Sequence, residues 1–392
     1  MQIEHNTFNM HNYIQRDAEE FLILNLKTFP AIVILGPRQC GKSTLAKTML
    51  QSSNTFLYLD LQNYMDLAKL NDLNLFFKSN ADSVVCIDEV QLKPDLFAFL
   101  RSEIDSDRRN GRFILLGSAS QQLIQKTSES LAGRAGLISL TPFTYFELKK
   151  TEGFSLQKHW FRGGFPDSYL AETGEMSALW LENYIKTYIE RDIPQLGIQI
   201  PALQMRRFLM MLGHWHGQTL NLSKIGESLG VSHTTIRRYL DLLEQTFIIR
   251  TVPVYEPNLK KRLVKSPKLY FRDSGLLHHL LGITDFNQLL AHPVLGASWE
   301  GYVIENLLTH FKGYAAYFYR SASGHEVDLV LENNTDKFAI ECKTSSDPSP
   351  TKGFWKAIEA IMPSKSYIVI PAENNYKLTE NVLVTSMDQI SL

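Results

Sequence analysis

The stretch "ILGPRQCGKSTLAKTML", residues 34–50, decides how the N-terminal part of the chain is read. It contains G-x-x-x-x-G-K-[ST], with Gly36, Gly41, Lys42 and Ser43 in register. An apolar run, "AIVIL", leads into it and an amphipathic stretch leaves it, which is the strand–loop–helix setting the motif requires. Glycines at both ends let such a loop curl until successive backbone N–H groups surround phosphate oxygens. The helix that follows aims its N-terminus at the same anion. Gly36, Pro37, Arg38, Gln39, Cys40, Gly41, Lys42, Ser43 and Thr44 are therefore the candidate nucleotide-binding residues. Lys42 supplies a point charge to the β- and γ-phosphates, and Ser43 is a ligand for Mg²⁺.

Further along, "SVVCIDEV" (83–90) is a buried-type strand ending in two acids. Asp88 suits Mg²⁺ binding, and Glu89 suits polarisation of an attacking water. A third such strand, "RFILLGSAS" (112–120), ends in Ser118 and Ser120, either of which could sense a γ-phosphate. In "SLAGRAG", Arg134 is a candidate finger reaching a neighbouring subunit's nucleotide, with Arg191 as the weaker rival. The cofactors expected are ATP and Mg²⁺.

Composition sets limits on what the rest can be. The chain has 392 residues, 44% hydrophobic and 21% charged, which is ordinary for a globular protein of several domains. A net charge of −1 means that a nucleic-acid surface must be a local patch. No apolar run is long enough for a bilayer, so no membrane partner is expected. The polar N-terminus does not read as a signal peptide. Three cysteines, Cys40, Cys86 and Cys342, give no disulfide framework and fit a reducing compartment, so the cytoplasm is expected.

Residues 31–140 alternate strand-like and helix-like segments, which predicts βαβ units and a parallel sheet. A long amphipathic helix is expected from about Met176 to Arg191, stopping at Pro194. The domains read as 1–155, an ATPase core; 156–200, a helical lid; 201–286, a winged helix-turn-helix; and 287–392, a nuclease-like domain. The fold class is α/β throughout.

"GPRQCGKSTL", "LDL", "CIDEVQ", "LLGSAS", "LAGR", "LTPFTYFEL" and "RGGFPDSY", in this order, resemble the AAA-type P-loop ATPases of bacteria and archaea that carry a C-terminal region of unknown function. The resemblance runs on through "YIERDI", "YFRDSGLLHHL" and "GASWEGYVIENLL" and so covers nearly the whole chain. It implies ATP hydrolysis and a homo-oligomer, with a hexameric ring as one form. The Gly117-Ser118 pair matches the family's sensor strand. No arginine finger is carried over from it.

In "NLSKIGESLGVSHTTIRRYLDLLEQTFIIRTVPVY" (221–255), Leu222, Ile225 and Leu229 form one apolar face, Gly230 a turn and Ser232 an N-cap. Ile236, Tyr239, Leu240 and Leu243 repeat at helical spacing, leaving Thr234, Thr235, Arg237 and Arg238 outward, as in a helix that reads a major groove. "FIIRTVPVY" and "KLYFRDSG" read as the strands of a wing. The basic link "NLKKRLVK" offers Lys260, Lys261 and Arg262 to DNA phosphates. His214 and His216 lack partnering Cys or acids and are not read as a metal site.

In "SASGHEVDLVLENNTDKFAIECKTSS" (321–346), Asp328 lies in one strand and Glu341-Cys342-Lys343 in the next. Alternation puts Glu341 and Lys343 on one face, and a hairpin would bring Asp328 beside them. Glu300 in the preceding helix could add a third carboxylate, with Glu305 as the alternative. This set resembles the PD-(D/E)xK nucleases of the Holliday-junction-resolvase-like branch, with Asp328, Glu341 and Lys343 as its D…ExK core and Glu300 as its helical acid. The chain departs from that pattern in reading Val-Asp where the name gives Pro-Asp.

These readings together imply an ATP-hydrolysing motor that remodels, translocates on or processes duplex or branched DNA. The rival is a nucleotide-gated protein-interaction switch in stress or defence signalling, with an inactive nuclease-like fold.

Overall fold

The apolar runs after residue 30 pair into one sheet. Its strands are β1 (Ala31–Gly36), β2 (Phe56–Asp60), β3 (Val84–Asp88), β4 (Phe113–Ser118) and β5 (Ala135–Ser139), in spatial order β2-β3-β4-β1-β5. The registers β1–β5, β2–β3 and β3–β4 are all parallel. Every residue of β1 is buried, as expected of a strand covered on both faces. The helices Lys42–Leu50 and Leu96–Ser106 are among the crossovers of this sheet.

The computed structural model describes residues 13–50, 55–118, 127, 129–197, 200–256 and 266–392. They form two compact units. The first holds most of the residues up to Phe154, and the second holds Ser155–Leu392 with the loop Gly36–Gly41. Among the described residues, no helix is long and apolar enough to cross a membrane.

In the second unit the helix Gly174–Thr187 ends its α-register earlier than the sequence suggests. It widens into a π-turn, Tyr188–Asp192, and a short helix, Ile193–Gln195, follows directly. The helical run ends at Gln195, one residue past Pro194, so the proline marks its end as the sequence suggests, and the π-turn lies just before it.

Two further helices, Leu222–Leu229 and His233–Gln245, meet at a tight corner. Asn221 and Ser232 cap their N-termini by accepting from Lys224 N and Thr235 N, and Gly230 takes the left-handed conformation that ends the first. Ile225, Ile236, Leu240 and Leu243 face one apolar core with Phe208, Leu212, Ile249 and Leu269. The antiparallel pair β6 (Ile249–Val252) and β7 (Lys268–Phe271) completes this layer.

The last part is a six-stranded mixed sheet: β8 (Ala315–Arg320), β9 (Glu326–Glu332), β10 (Lys337–Cys342), β11 (Lys365–Val369), β12 (Tyr376–Thr379) and β13 (Val382–Thr385), in order β12-β13-β11-β10-β9-β8. β8, β9 and β10 run antiparallel, and β10 then pairs with β11 in parallel through the crossover helix Lys352–Ile361. Phe354, Ala357 and Ile361 of that helix bury against Val327, Val330 and Ile368. The helix Leu295–His310 precedes the sheet and carries Glu300.

Candidate functional site

The motif loop lies between β1 and the helix Lys42–Leu50. Gln39 and Gly41 both take positive φ, 59° and 100°, so the chain reverses tightly before the helix begins. Lys42 is buried at the helix start. Ser43 Oγ donates to Asp88 Oδ2 at 2.5 Å, so the expected metal ligands meet although their strand and helix are separated in sequence. The other carboxylate oxygen, Oδ1, accepts from Glu89 N at 2.9 Å. Glu89 stands in the left-handed region (φ 52°), and Gln91 Nε2 donates to its carboxylate. Ser118 ends β4, between β1 and β3. Thr44 is the third residue of the helix.

Several contacts here had no signal in the sequence. Tyr58 of β2 donates its hydroxyl to Asp88 Oδ2, and burial together with that carboxylate pushes its phenol well above the usual range. Lys47 lies over the Tyr58 ring, 4.0 Å from its centroid. Arg38 pairs with Asp192 at 2.7 Å and reaches Gln195 at 3.3 Å. Arg134 makes a two-pronged pair with Asp105, at 2.6 and 2.9 Å, on an exposed surface. Arg191 is exposed, and Ser120 lies outside the described residues.

In the helix His233–Gln245, Thr234, Arg237 and Arg238 are exposed and Thr235 is half-buried. Lys260, Lys261 and Arg262 lie outside the described residues. His216 is buried, and its ring nitrogens are taken by Phe271 N (3.0 Å) and the carbonyl of Ala297 (3.0 Å).

A second centre forms where β9, β10 and the helix Leu295–His310 meet. Cys342 N donates to Asp328 Oδ2 at 2.8 Å, which locks the hairpin, and Lys343 Nζ donates to Glu341 Oε1 at 2.7 Å. Glu300 joins Asp328 in this cluster. Glu305 instead turns to Arg250 and Arg272, each at 2.7 Å. Lys268 carried no signal of its own among the motifs. From β7 its ammonium lies 2.9 Å from Glu300, 2.5 Å from Glu326 and 3.9 Å from Asp328, and its side chain is 4% exposed. Tyr270, on the same face of β7, donates to Glu300.

Burial raises Glu300 to about 7 and Glu341 to about 8, and the neighbouring Asp328 charge adds to both; burial raises Asp328 as well. Burial alone would depress the Lys268 ammonium, yet Glu300, Asp328 and Glu326 hold it well above its ordinary value. Glu341 Oε2 is buried and accepts no hydrogen bond. Among the described residues, no three of His, Cys, Asp and Glu converge so as to hold a metal ion. The Mg²⁺ that a nuclease-like centre implies does not fit here, because an ammonium stands among its oxygens.

The parallel sheet, the curled loop before a helix and the Ser43–Asp88 contact define a P-loop ATPase core of the AAA type. An AAA-domain profile matches residues 28–149. Two domains of unknown function match the rest, DUF8612 over residues 153–287 and DUF4143 over residues 295–390. The chain is 39% identical over 376 residues to an uncharacterized protein of Mycobacterium tuberculosis, spanning 96% of this chain and 84% of that protein, and it belongs to the same family. An uncharacterized protein of Haemophilus influenzae is 25% identical over 282 residues, 64% of this chain and 69% of its own. A solved Walker-type ATPase of Pyrococcus abyssi aligns with a TM-score of 0.43 at 16% identity, over 68% of this chain and 96% of that chain.

Proposed function

We propose that this chain is an ATP-hydrolysing motor acting on duplex or branched DNA. ATP binds along Gly36–Thr44, with Lys42 on the β- and γ-phosphates and Ser43 and Asp88 as the groups that would hold Mg²⁺. Glu89 orients the attacking water, Ser118 senses the γ-phosphate, and Arg134 completes a neighbouring subunit's site in a homo-oligomer. The observation that carries the DNA reading is the outward face of the helix His233–Gln245. Thr234, Arg237 and Arg238 project to solvent from a helix that starts at a tight Gly230 corner beside a two-stranded ribbon, the arrangement of a winged helix. The C-terminal sheet, with its resolvase-like carboxylates, would then contact DNA beside it.

ATP turnover with single-stranded, duplex and four-way DNA tests this reading, run beside Lys42→Ala. The expected result is stimulation by DNA, abolished in Lys42→Ala. Arg237→Ala and Arg238→Ala should each lower the salt slope of DNA binding by about one. No DNA affinity at low salt, and no stimulation, would overturn it.

One observation favours the rival, a nucleotide-gated protein-interaction switch with an inactive nuclease-like fold. It is the ammonium of Lys268 among the carboxylates where a cleaving metal would sit.

A further inference from the structure

We propose that Lys268 is a built-in substitute for a divalent cation, and that the C-terminal carboxylate cluster is a latch for strand β7 rather than a metal centre. This stands apart from the DNA reading, since it concerns the resting chain without nucleotide or nucleic acid.

The groups that face the cluster come from every element around it. Glu300 comes from the helix Leu295–His310, Glu326 and Asp328 from β9, and Glu341 from β10. Against them stand Lys268 and Tyr270 from β7, Lys343 just beyond β10, and Arg320 of β8, which lies 3.8 Å from Glu326. The ammonium occupies the space between Glu300, Glu326 and Asp328, and the Phe318 ring lies on its flank at 5.4 Å. Mg²⁺ requires oxygens at about 2.0–2.1 Å in octahedral geometry and gives up water reluctantly. Lys268 makes no such demand. It is tethered to a paired strand, so its effective concentration at the carboxylates is far above that of free Mg²⁺. Tyr270, two residues on and on the same face of β7, donates its hydroxyl to Oε1 of Glu300, the same oxygen that the Lys268 ammonium meets.

Glu341 gives the second observation. Its side chain is nine-tenths buried, one oxygen pairs with Lys343, and the other accepts nothing. The set thus has the acids of a cation site, drawn round an ammonium and not closed up as metal ligands in the resting chain, with one of them keeping coordinating capacity to spare. Removing the lysine should expose that latent site.

The probe is Mn²⁺, followed by electron paramagnetic resonance of the bound ion in nucleotide-free protein. Wild type and Asp328→Asn should bind the same amount. Lys268→Met should gain one Mn²⁺ per chain, held at least tenfold more tightly than any in wild type, and adding Asp328→Asn should remove it. Because Lys268→Met leaves the acids without their counter-ion, Lys268→Met/Glu326→Gln serves as a charge-balanced second variant with the same expected gain. A folded lysine variant that binds no Mn²⁺ overturns the proposal. So does one Mn²⁺ in wild type that disappears in Asp328→Asn, and that comparison decides the matter even if both lysine variants fail to fold.

Discussion

Ser43 Oγ and Asp88 Oδ2 lie 2.5 Å apart, which joins the first turn of the helix after β1 to the end of β3. Tyr58 donates to the same carboxylate oxygen. Asp88 is thus held by two hydroxyls and by the Glu89 amide. Asp88→Asn keeps the shape but exchanges one acceptor oxygen for an amide donor that faces donors. Mg²⁺-dependent ATP turnover is expected to fall by at least about 100-fold, as when a charged group is lost at a transferring phosphoryl. Steady-state phosphate release measures it. Tyr58→Phe, which removes one of the two hydroxyls, should cost less than tenfold.

Glu305 neutralises two guanidiniums, Arg250 and Arg272, in a largely buried cluster. Burial works to raise its carboxyl, but the two arginines hold it below the ordinary range. Glu305→Gln leaves two buried cations facing each other. Loss of one partner of such a group costs about 3–5 kcal/mol. Urea unfolding should show that loss as a lower midpoint at unchanged slope.

His216 and His278 titrate out of their ordinary range. Burial lowers His216 to about 3 and His278 to about 4. Both are neutral in the folded chain, while the unfolded chain protonates them below about 6.5. Each therefore contributes stability that is complete above that pH and is lost as pH falls through the folded value, at up to about 1.4 kcal/mol per pH unit. Glu300, Glu341 and Asp273 are raised, so they slope the other way. That slope is shared by parent and variant and cancels between them. The stability difference between parent and His216→Gln should thus shrink steadily from pH 6.5 to 4 in denaturant titrations.

Gly163 has φ 76°, and a Cβ there would meet Asp273 Oδ1 at 2.2 Å. Asp273 cannot yield, because it also accepts from Gly164 N at 2.8 Å and caps the helix Ser274–Leu280 through Leu276 N. Burial raises its carboxyl to about 6, so it has no solvent to turn toward. Gly163→Ala should destabilise the chain by about 2–4 kcal/mol, through left-handed strain and the displaced cap together. At Gly174, where a Cβ would meet nothing, Gly174→Ala should leave the melting temperature within a few degrees.

The P-loop core was legible because its information is local. Glycine spacing, a lysine and the flanking apolar strand lie within one short stretch, and each buried strand announced itself by composition. Asp88 could be placed because a strand end is also a local feature. Lys268 could not. It reads as one basic residue in a wing strand, and its meaning comes from Glu300, 32 residues on, and from a sheet further still. Tyr58 and Asp192 escaped for the same reason, since a side chain's partner across a sheet leaves no periodic trace. Pro194 was legible as the end of the helical run, which closes at Gln195, but the π-turn before it left no mark in the residue pattern.

The strand order β2-β3-β4-β1-β5 puts one strand between the phosphate loop and the acid pair. Two inter-strand spacings, roughly 10 Å, separate the tips of β1 and β3. Ser43 and Asp88 span that interval as a tie-beam between two strands that are not neighbours in the sheet.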